Sequence, residues 1–100
     1  MAYDLRYLPI VDKDLTEADV YMSEVSPDMA RRFFLLLDEK LCKLRKTPFV
    51  YPIYNDYPLY RKIVVMDYLV FYRVDELEKM VSIHRIINGR MHIVNQLLES

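Results

Sequence analysis

The chain has 100 residues, with 14 lysines and arginines against 15 aspartates and glutamates, and its 53% hydrophobic content is enough for one domain over residues 1–100. The net charge of −1 argues against strong non-specific binding to nucleic acid. The one glycine excludes the glycine-rich phosphate loops, and the one cysteine excludes an internal disulfide and a paired-cysteine zinc site.

The N-terminal half predicts a strand followed by a helix. Residues Tyr3 to Pro9 alternate in the manner of a short strand. Asp14 stands three residues before Glu17, a spacing that resembles a capping box and predicts the start of a first helix there. Apolar residues at steps of three and four then continue to Val25, as expected for one buried stripe.

A second helix is predicted immediately afterwards. Ser26 can cap it, Pro27 suits its first position, and Pro48 ends it near Lys46 because a residue before proline disfavours helical backbone. Residues 49–58 hold two prolines and four large aromatic residues, which predicts an ordered, wrapping loop.

From Leu59 the pattern changes to strands. Segments Leu59–Val65 and Tyr68–Val74 predict a hairpin, and Lys79–Ile87 predicts a third strand after a short turn. Short links imply an antiparallel three-stranded meander. Residues 91–98 predict a short terminal helix. The fold class is therefore α+β, with a short N-terminal strand and a helical hairpin packed on an antiparallel sheet.

The charges are segregated along the chain. Residues 3–28 hold seven acidic against two basic side chains, and residues 29–50 hold six basic against two acidic ones. One interpretation pairs the acidic first helix with the basic second helix. The other is a basic face for an acidic partner, with Lys43, Arg45 and Lys46 as its anchor.

Basic residues also recur on the predicted strands. Arg61, Arg73 and Arg85 are spaced by twelve residues and form a cluster on one sheet face if the hairpin registers allow it; the alternative is one solvent-facing arginine per strand. Lys62 and Tyr72 lie beside them. A tyrosine there can stack on a base, as in single-strand binders, or simply serve as a strand residue.

His84 is the histidine of the predicted third strand. As a general base it would need a nucleophile and a cleft, and otherwise a lone strand histidine has a structural role. Neither His84 nor His92 has a second ligand at metal-binding spacing. We therefore expect no metal and no cofactor.

Two segments carry a resemblance to a known family. Residues Leu59–Asp75 (LYRKIVVMDYLVFYRVD) and Val81–Met91 (VSIHRIINGRM) resemble the core and closing segments of the RelE/ParE toxin superfamily. Pro27–Phe33 and Leu44–Pro48 fall where that family has its second helix and helix exit. The resemblance covers nearly the whole chain and implies the same strand order.

The resemblance implies the toxin of a bacterial type II toxin–antitoxin pair, with plasmid stabilisation and growth inhibition as its roles. Its implied partners are a cognate antitoxin and, as target, either DNA gyrase or the ribosome and its mRNA, and a homodimer is a further implied assembly. No apolar run reaches the roughly 20 residues of a membrane helix, so we expect a soluble, cytoplasmic protein without membrane partners.

Departures from the family pattern favour its ParE branch, whose members inhibit DNA gyrase. Ribosome-dependent members use a basic residue before the "leu-val-tyr" of the hairpin, and this chain has Leu69 there. At the positions nearest their terminal set it has Asn88, Gly89 and Arg90. The first departure removes a cation that would stabilise a phosphate during RNA cleavage.

Two alternatives stay open. One is a ribosome-dependent mRNA endoribonuclease, the only case in which the chain would be an enzyme, and the other is a degenerate toxin that only binds its antitoxin. The candidate catalytic residues are Arg61, Arg73, His84, Arg85 and Arg90. The candidate residues for binding the target or nucleic acid are Lys43, Arg45, Lys46, Lys62 and Tyr72.

Overall fold

Two helices pack on one face of a four-stranded sheet. A computed structural model describes residues 2–89 of the chain. Its elements are β1 (Asp4–Tyr7), α1 (Ile10–Val25), α2 (Pro27–Leu44), β2 (Arg61–Val65), β3 (Tyr68–Asp75) and β4 (Met80–Asn88). The predicted α+β class is confirmed, and the terminal helix predicted over residues 91–98 lies outside the described residues.

The sheet has the order β1-β4-β3-β2 and is mixed. Strands β2, β3 and β4 form the predicted antiparallel meander, with the two-residue turn Met66-Asp67 between the first two. Met66 has a φ of 55°, the left-handed conformation that such a tight turn requires. Strand β1 pairs parallel to β4, so the prediction of a wholly antiparallel sheet is wrong at this edge.

Helix α1 begins at Ile10, one turn earlier than the capping-box pattern predicted. Asp14 is therefore an internal helical residue, and it is buried against the sheet. Its carboxylate accepts hydrogen bonds from Arg85 Nε and Nη2, both at 2.8 Å, and from the Ile86 backbone N–H at 3.0 Å. The cap prediction is wrong because this carboxylate is committed to β4.

Helix α2 matches its prediction closely. Ser26 is its extended N-cap residue but makes no side-chain capping hydrogen bond, Pro27 is its first residue, and the helix ends at Leu44. Among residues 2–89, the ion pairs within 4 Å lie inside one helix, between β1 and the end of α2, or between α1 and β4. None joins α1 to α2, so the interpretation of an acidic helix paired with a basic one is wrong here.

The sheet is covered on both faces, but by different elements. The helices bury the main core against one face, with Phe33, Tyr72 and Ile83 among its fully buried side chains. On the other face, Phe71 and Ile87 are buried beneath tyrosines of the loop over residues 49–60. That loop covers the β2 side, and no other element within residues 2–89 covers the rest of this face. We call this face of the sheet the open face.

Strand β4 contains a bulge. Ile83 lies opposite Tyr72 and Arg85 lies opposite Phe71, so His84 between them has no partner residue on β3. The extra residue allows both Ile83 and Ile86 to reach the helix-side core although they are three positions apart. Bulges of this kind redirect side chains and are frequent beside functional sites.

Candidate functional site

A groove of about 710 Å³ lies on the open face, over β1, β4 and β3. Strand alternation brings side chains from three strands into it, and the turn from β3 to β4 forms one end. The groove is lined by Arg6, Leu8, Arg73, Val74, Asp75, Glu76, Leu77, Glu78, Met80, Ser82 and His84.

None of the helices within residues 2–89 combines the length and apolar character required to cross a membrane.

Two arginines face each other across β4 in this groove. Arg6 on β1 and Arg73 on β3 are both in register with Ser82, which places the three residues in one row across the sheet. Arg6 Nη2 donates a hydrogen bond to Ser82 Oγ at 3.1 Å. Within residues 2–89, neither guanidinium has a carboxylate within 4 Å. The row therefore presents to the groove two positive charges that no carboxylate of residues 2–89 pairs with directly.

His84 lies next to this row, on the bulge. Its ring is half-buried and meets the Tyr60 ring edge-on, with 5.1 Å between centroids. Burial lowers the pKa of His84 below its ordinary 6.5, and the positive charges of Arg73 and Arg6 lower the pKa further. The imidazole is therefore neutral at pH 7, and one ring nitrogen can accept a proton.

This pKa shift predicts a pH dependence of stability. Because the unfolded chain takes up the histidine proton first on acidification, the free energy of unfolding should fall as the pH drops below about 6.5. The His84→Gln variant should lose this component while keeping the parts due to carboxylates. An NMR titration of the imidazole should give a pKa below 6.5, and Arg73→Gln should raise that pKa. An unshifted titration in both proteins would contradict the prediction.

The opposite end of the groove is acidic. Asp75, Glu76 and Glu78 line it together with Leu77, whose side chain is 95% exposed. Asp75 Oδ1 accepts a hydrogen bond from the Glu78 backbone N–H at 3.1 Å, which orders the turn. With a neutral His84, the lining that residues 2–89 provide holds two positive and three negative side chains, which gives a formal charge of −1.

The family of the chain follows from a profile match that spans both the helices and the sheet. Residues 5–93 match the family described as "ParE toxin of type II toxin-antitoxin system, parDE". The chain belongs to this toxin family. The resemblance to the RelE/ParE superfamily, which covered nearly the whole chain, is thereby confirmed. The search of curated protein sequences found no match to the chain.

Solved structures show that the toxin shares the RelE fold. A chain of the toxin–antitoxin complex RelBE2 from Mycobacterium tuberculosis superposes with a TM-score of 0.63 at 17% identity, over 88% of this chain and 99% of that one. An arginine-to-alanine double mutant of the E. coli toxin RelE, in the free state, also gives 0.63, at 18% identity, over 96% of this chain and 93% of that one. At such identities the likeness concerns the fold alone.

The toxin does not bring the three strand arginines into one cluster. Arg61 Nη1 donates to the backbone oxygens of Tyr51 at 2.6 Å and Phe49 at 3.2 Å, so it holds the loop. Arg73 lines the groove, whereas Arg85 is buried in its pair with Asp14 on the helix side. The alternative of one solvent-facing arginine per strand is also wrong, because Arg85 is buried. Arg90 lies outside the described residues.

Tyr72 is removed from the candidate binding residues of the toxin. Its side chain is fully buried, and its hydroxyl donates to the backbone oxygen of Pro48 at 2.8 Å. Burial raises the pKa of Tyr72, as expected for a phenol held away from water. A fully buried ring cannot stack on a base, so its role is to anchor the loop that follows α2.

The four basic candidates of the toxin lie away from the groove. Lys43 pairs with Glu39 at 3.3 Å on the exposed side of α2. Arg45 Nε donates to the backbone oxygen of Tyr3 at 2.8 Å and ties the end of α2 to the start of β1. Lys46 is exposed in the following turn, and the Lys62 ammonium lies 5.4 Å from the centre of the Tyr54 ring. None of these four residues lines the groove that contains His84.

Sequence reasoning missed Arg6 and Ser82. Strand alternation places both side chains on the open face. The row of arginines exists only because β1 pairs with β4, which brings together Arg6 and Ser82, 76 positions apart along the chain. No turn signal predicts so distant a pairing. The one available signal is the polar character of position 6 between the apolar positions 5 and 7, which places Arg6 on the face opposite the core.

Proposed function

We propose that this toxin is neutralised by a cognate antitoxin and acts in the ParE manner, by inhibiting DNA gyrase rather than by cutting RNA. The observation that carries the proposal is the charge of the groove, where three carboxylates outnumber two arginines. The ParE profile match over residues 5–93 supports the same branch. A relative of similar fold occurs in a toxin–antitoxin complex, which supports an antitoxin as partner.

Electrostatics separate the two kinds of target. An RNA strand carries one negative charge per nucleotide, and binding strength depends on the cations that neutralise its phosphates. Carboxylates of Asp75, Glu76 and Glu78 beside Arg73 oppose such a strand in the groove. A protein surface carries both signs of charge and can match both ends of the groove. A protein target such as gyrase therefore suits this face better than mRNA.

Parallel assays with the purified full chain test the proposal. With gyrase, ATP and relaxed plasmid, increasing toxin should progressively abolish supercoiling, and adding the antitoxin should restore it. In a translating extract, mRNA should stay intact at the same doses. Unaffected gyrase would refute the gyrase target. Normal growth on induction without the antitoxin would instead indicate the degenerate, non-toxic alternative.

A second candidate function is supported by the pKa and surroundings of His84. A neutral imidazole can take the proton from a ribose 2′-hydroxyl as that oxygen attacks the adjacent phosphate. The bond from phosphorus to the 5′-oxygen of the next nucleotide then breaks, which gives a 2′,3′-cyclic phosphate and a 5′-hydroxyl whose proton comes from water. Arg6 and Arg73 flank the ring and could stabilise the charge that develops on the phosphate. In this case mRNA would be cut in the translating extract, and His84→Ala would abolish cutting while gyrase stays active. Intact mRNA would exclude this function.

A further inference from the structure

We propose that the groove binds an extended segment of a partner protein that carries an acidic side chain and, two residues along, a basic one. This rests on the proposed function in one respect, that a partner protein binds the toxin. It adds where the segment binds and what chemistry it needs. The acidic side chain would lie between Arg6 and Arg73, and the basic one beside Asp75.

The first step of the argument is the arrangement of charge in rows. Arg6, Ser82 and Arg73 are aligned across three strands, and the next row on the same face contains Met80 opposite Asp75. Two residues along a strand advance by about 6.6 Å. In an extended peptide, side chains that point to the same side recur at this distance. Charges of opposite sign at alternate peptide positions therefore match both rows at once.

The second step concerns the arginine row itself. Arg6 and Arg73 leave two strands that are separated by β4, so their backbones are about 9.5 Å apart. Long guanidinium side chains from both sides can reach one carboxylate placed above Ser82, and arginine–carboxylate hydrogen bonds are strong because both groups are charged. Within residues 2–89, no carboxylate lies within 4 Å of either arginine. A carboxylate of a bound segment, placed above Ser82, would supply a counter-charge that residues 2–89 do not provide within 4 Å.

The third step shows why a polyanion fits the groove less well than a peptide of alternating charge. A strand with negative charge at every repeat would place one charge at the arginine row and the next beside Asp75, Glu76 and Glu78. That second contact is repulsive. Peptides with two basic residues would meet the reverse problem at Arg6 and Arg73. Only a segment of alternating sign gains at both rows.

The test is an NMR titration of the purified full chain at low ionic strength. The probes are blocked pentapeptides with the order Ser-Glu-Ser-Lys-Ser, Ser-Glu-Ser-Glu-Ser and Ser-Lys-Ser-Lys-Ser, with hexauridylate and inorganic phosphate as further probes. The mixed peptide should shift the amide signals of Arg6, Ser82 and Arg73 in a saturable way. It should bind at least fivefold more tightly than either single-sign peptide and than hexauridylate.

Variants make the test specific. Arg73→Gln should weaken binding of the mixed peptide at least fivefold, and Asp75→Asn should remove its advantage over the doubly acidic peptide. Arg31→Gln is the matched control, because Arg31 is also exposed but lies on α2, where it pairs with Asp28 outside the groove. It should leave binding unchanged. All three changes affect exposed side chains, so amide spectra should show an intact fold.

Several outcomes would overturn the inference. Tighter binding of hexauridylate than of the mixed peptide would make the groove a nucleic-acid site. Equal binding of all peptides, no saturable shifts, or equal effects of Arg73→Gln and Arg31→Gln would each remove the site. Because the titration involves neither gyrase nor antitoxin, its failure would leave the gyrase result standing. Failure of the gyrase assay would likewise leave the peptide result standing.

Discussion

Replacing Asp14 by alanine is expected to lower the free energy of unfolding by about 3–5 kcal/mol, because it breaks a buried ion pair by removing one partner. Arg85 is only 4% exposed and both of its hydrogen bonds to the carboxylate measure 2.8 Å. Without Asp14 its charge stays buried without that carboxylate, and the Ile86 N–H also loses its acceptor. The ion pair connects α1 to the bulged part of β4, and its two residues are 71 positions apart along the chain.

Urea unfolding monitored by circular dichroism measures this loss. Glu17→Ala is the matched control on the same helix, because Glu17 also pairs with a basic residue, Lys13, but in an exposed contact as long as 3.9 Å. This variant should change the free energy of unfolding by no more than about 0.5 kcal/mol. A double variant, Asp14→Leu with Arg85→Met, should recover much of the stability because it replaces both charges by apolar groups. Equal midpoints for Asp14→Ala and Glu17→Ala would contradict the prediction.

Replacing Phe71 by alanine is expected to cost about 3–5 kcal/mol, the usual range for a fully buried aromatic residue. Phe71 is 0% exposed although it lies on the face opposite the helices. Its ring centre is 5.1 Å from that of Tyr54 and 6.4 Å from that of Tyr60. The variant therefore removes one of the anchors of the loop over residues 49–60, beside Arg61 and Tyr72, and Tyr60 of this loop contacts His84.

Two measurements separate this effect from a simple loss of core volume. Urea unfolding gives the global cost, and amide hydrogen exchange should show faster exchange at the N–H of Tyr54, which bonds to the Tyr60 oxygen at 2.9 Å. Phe49→Ala is the matched control, because Phe49 belongs to the same loop but is 44% exposed, and it should cost about 1 kcal/mol. Unchanged exchange in the Phe71 variant would contradict the anchoring role.

The elements of the toxin could be predicted from sequence because each depends on neighbouring residues. The extended Ser26 followed by Pro27 begins α2, and the two-residue turn at Met66 joins β2 to β3. Asp14 shows where such reasoning fails. A local pattern suggests a cap, but its buried partner Arg85 is distant along the chain, and the pair prevails because an unpaired buried charge is costly.

The candidate site could be predicted only in part for a related reason. Arg73 and His84 were identified from residue type and position on the strands, and both line the groove. Their neighbour Arg6 depends on the parallel pairing of β1, which leaves no local signal. One of the two interpretations of the strand arginines placed Arg85 on the same face as Arg73. The bulge at His84 overrides simple alternation and turns Arg85 towards the helices.

The bulge also bears on how the sequence can change in evolution. A residue within a regular ladder is constrained by its neighbours on the adjoining strand. Position 84 has no partner residue on β3, while Ile83 and Ile86 on either side keep their places in the core. A change of side chain at this position therefore disturbs no cross-strand pair with β3, and what it alters is the edge-on contact with Tyr60 and the lining of the groove. Members of the family could acquire or lose chemistry here by single substitutions, without remodelling the sheet.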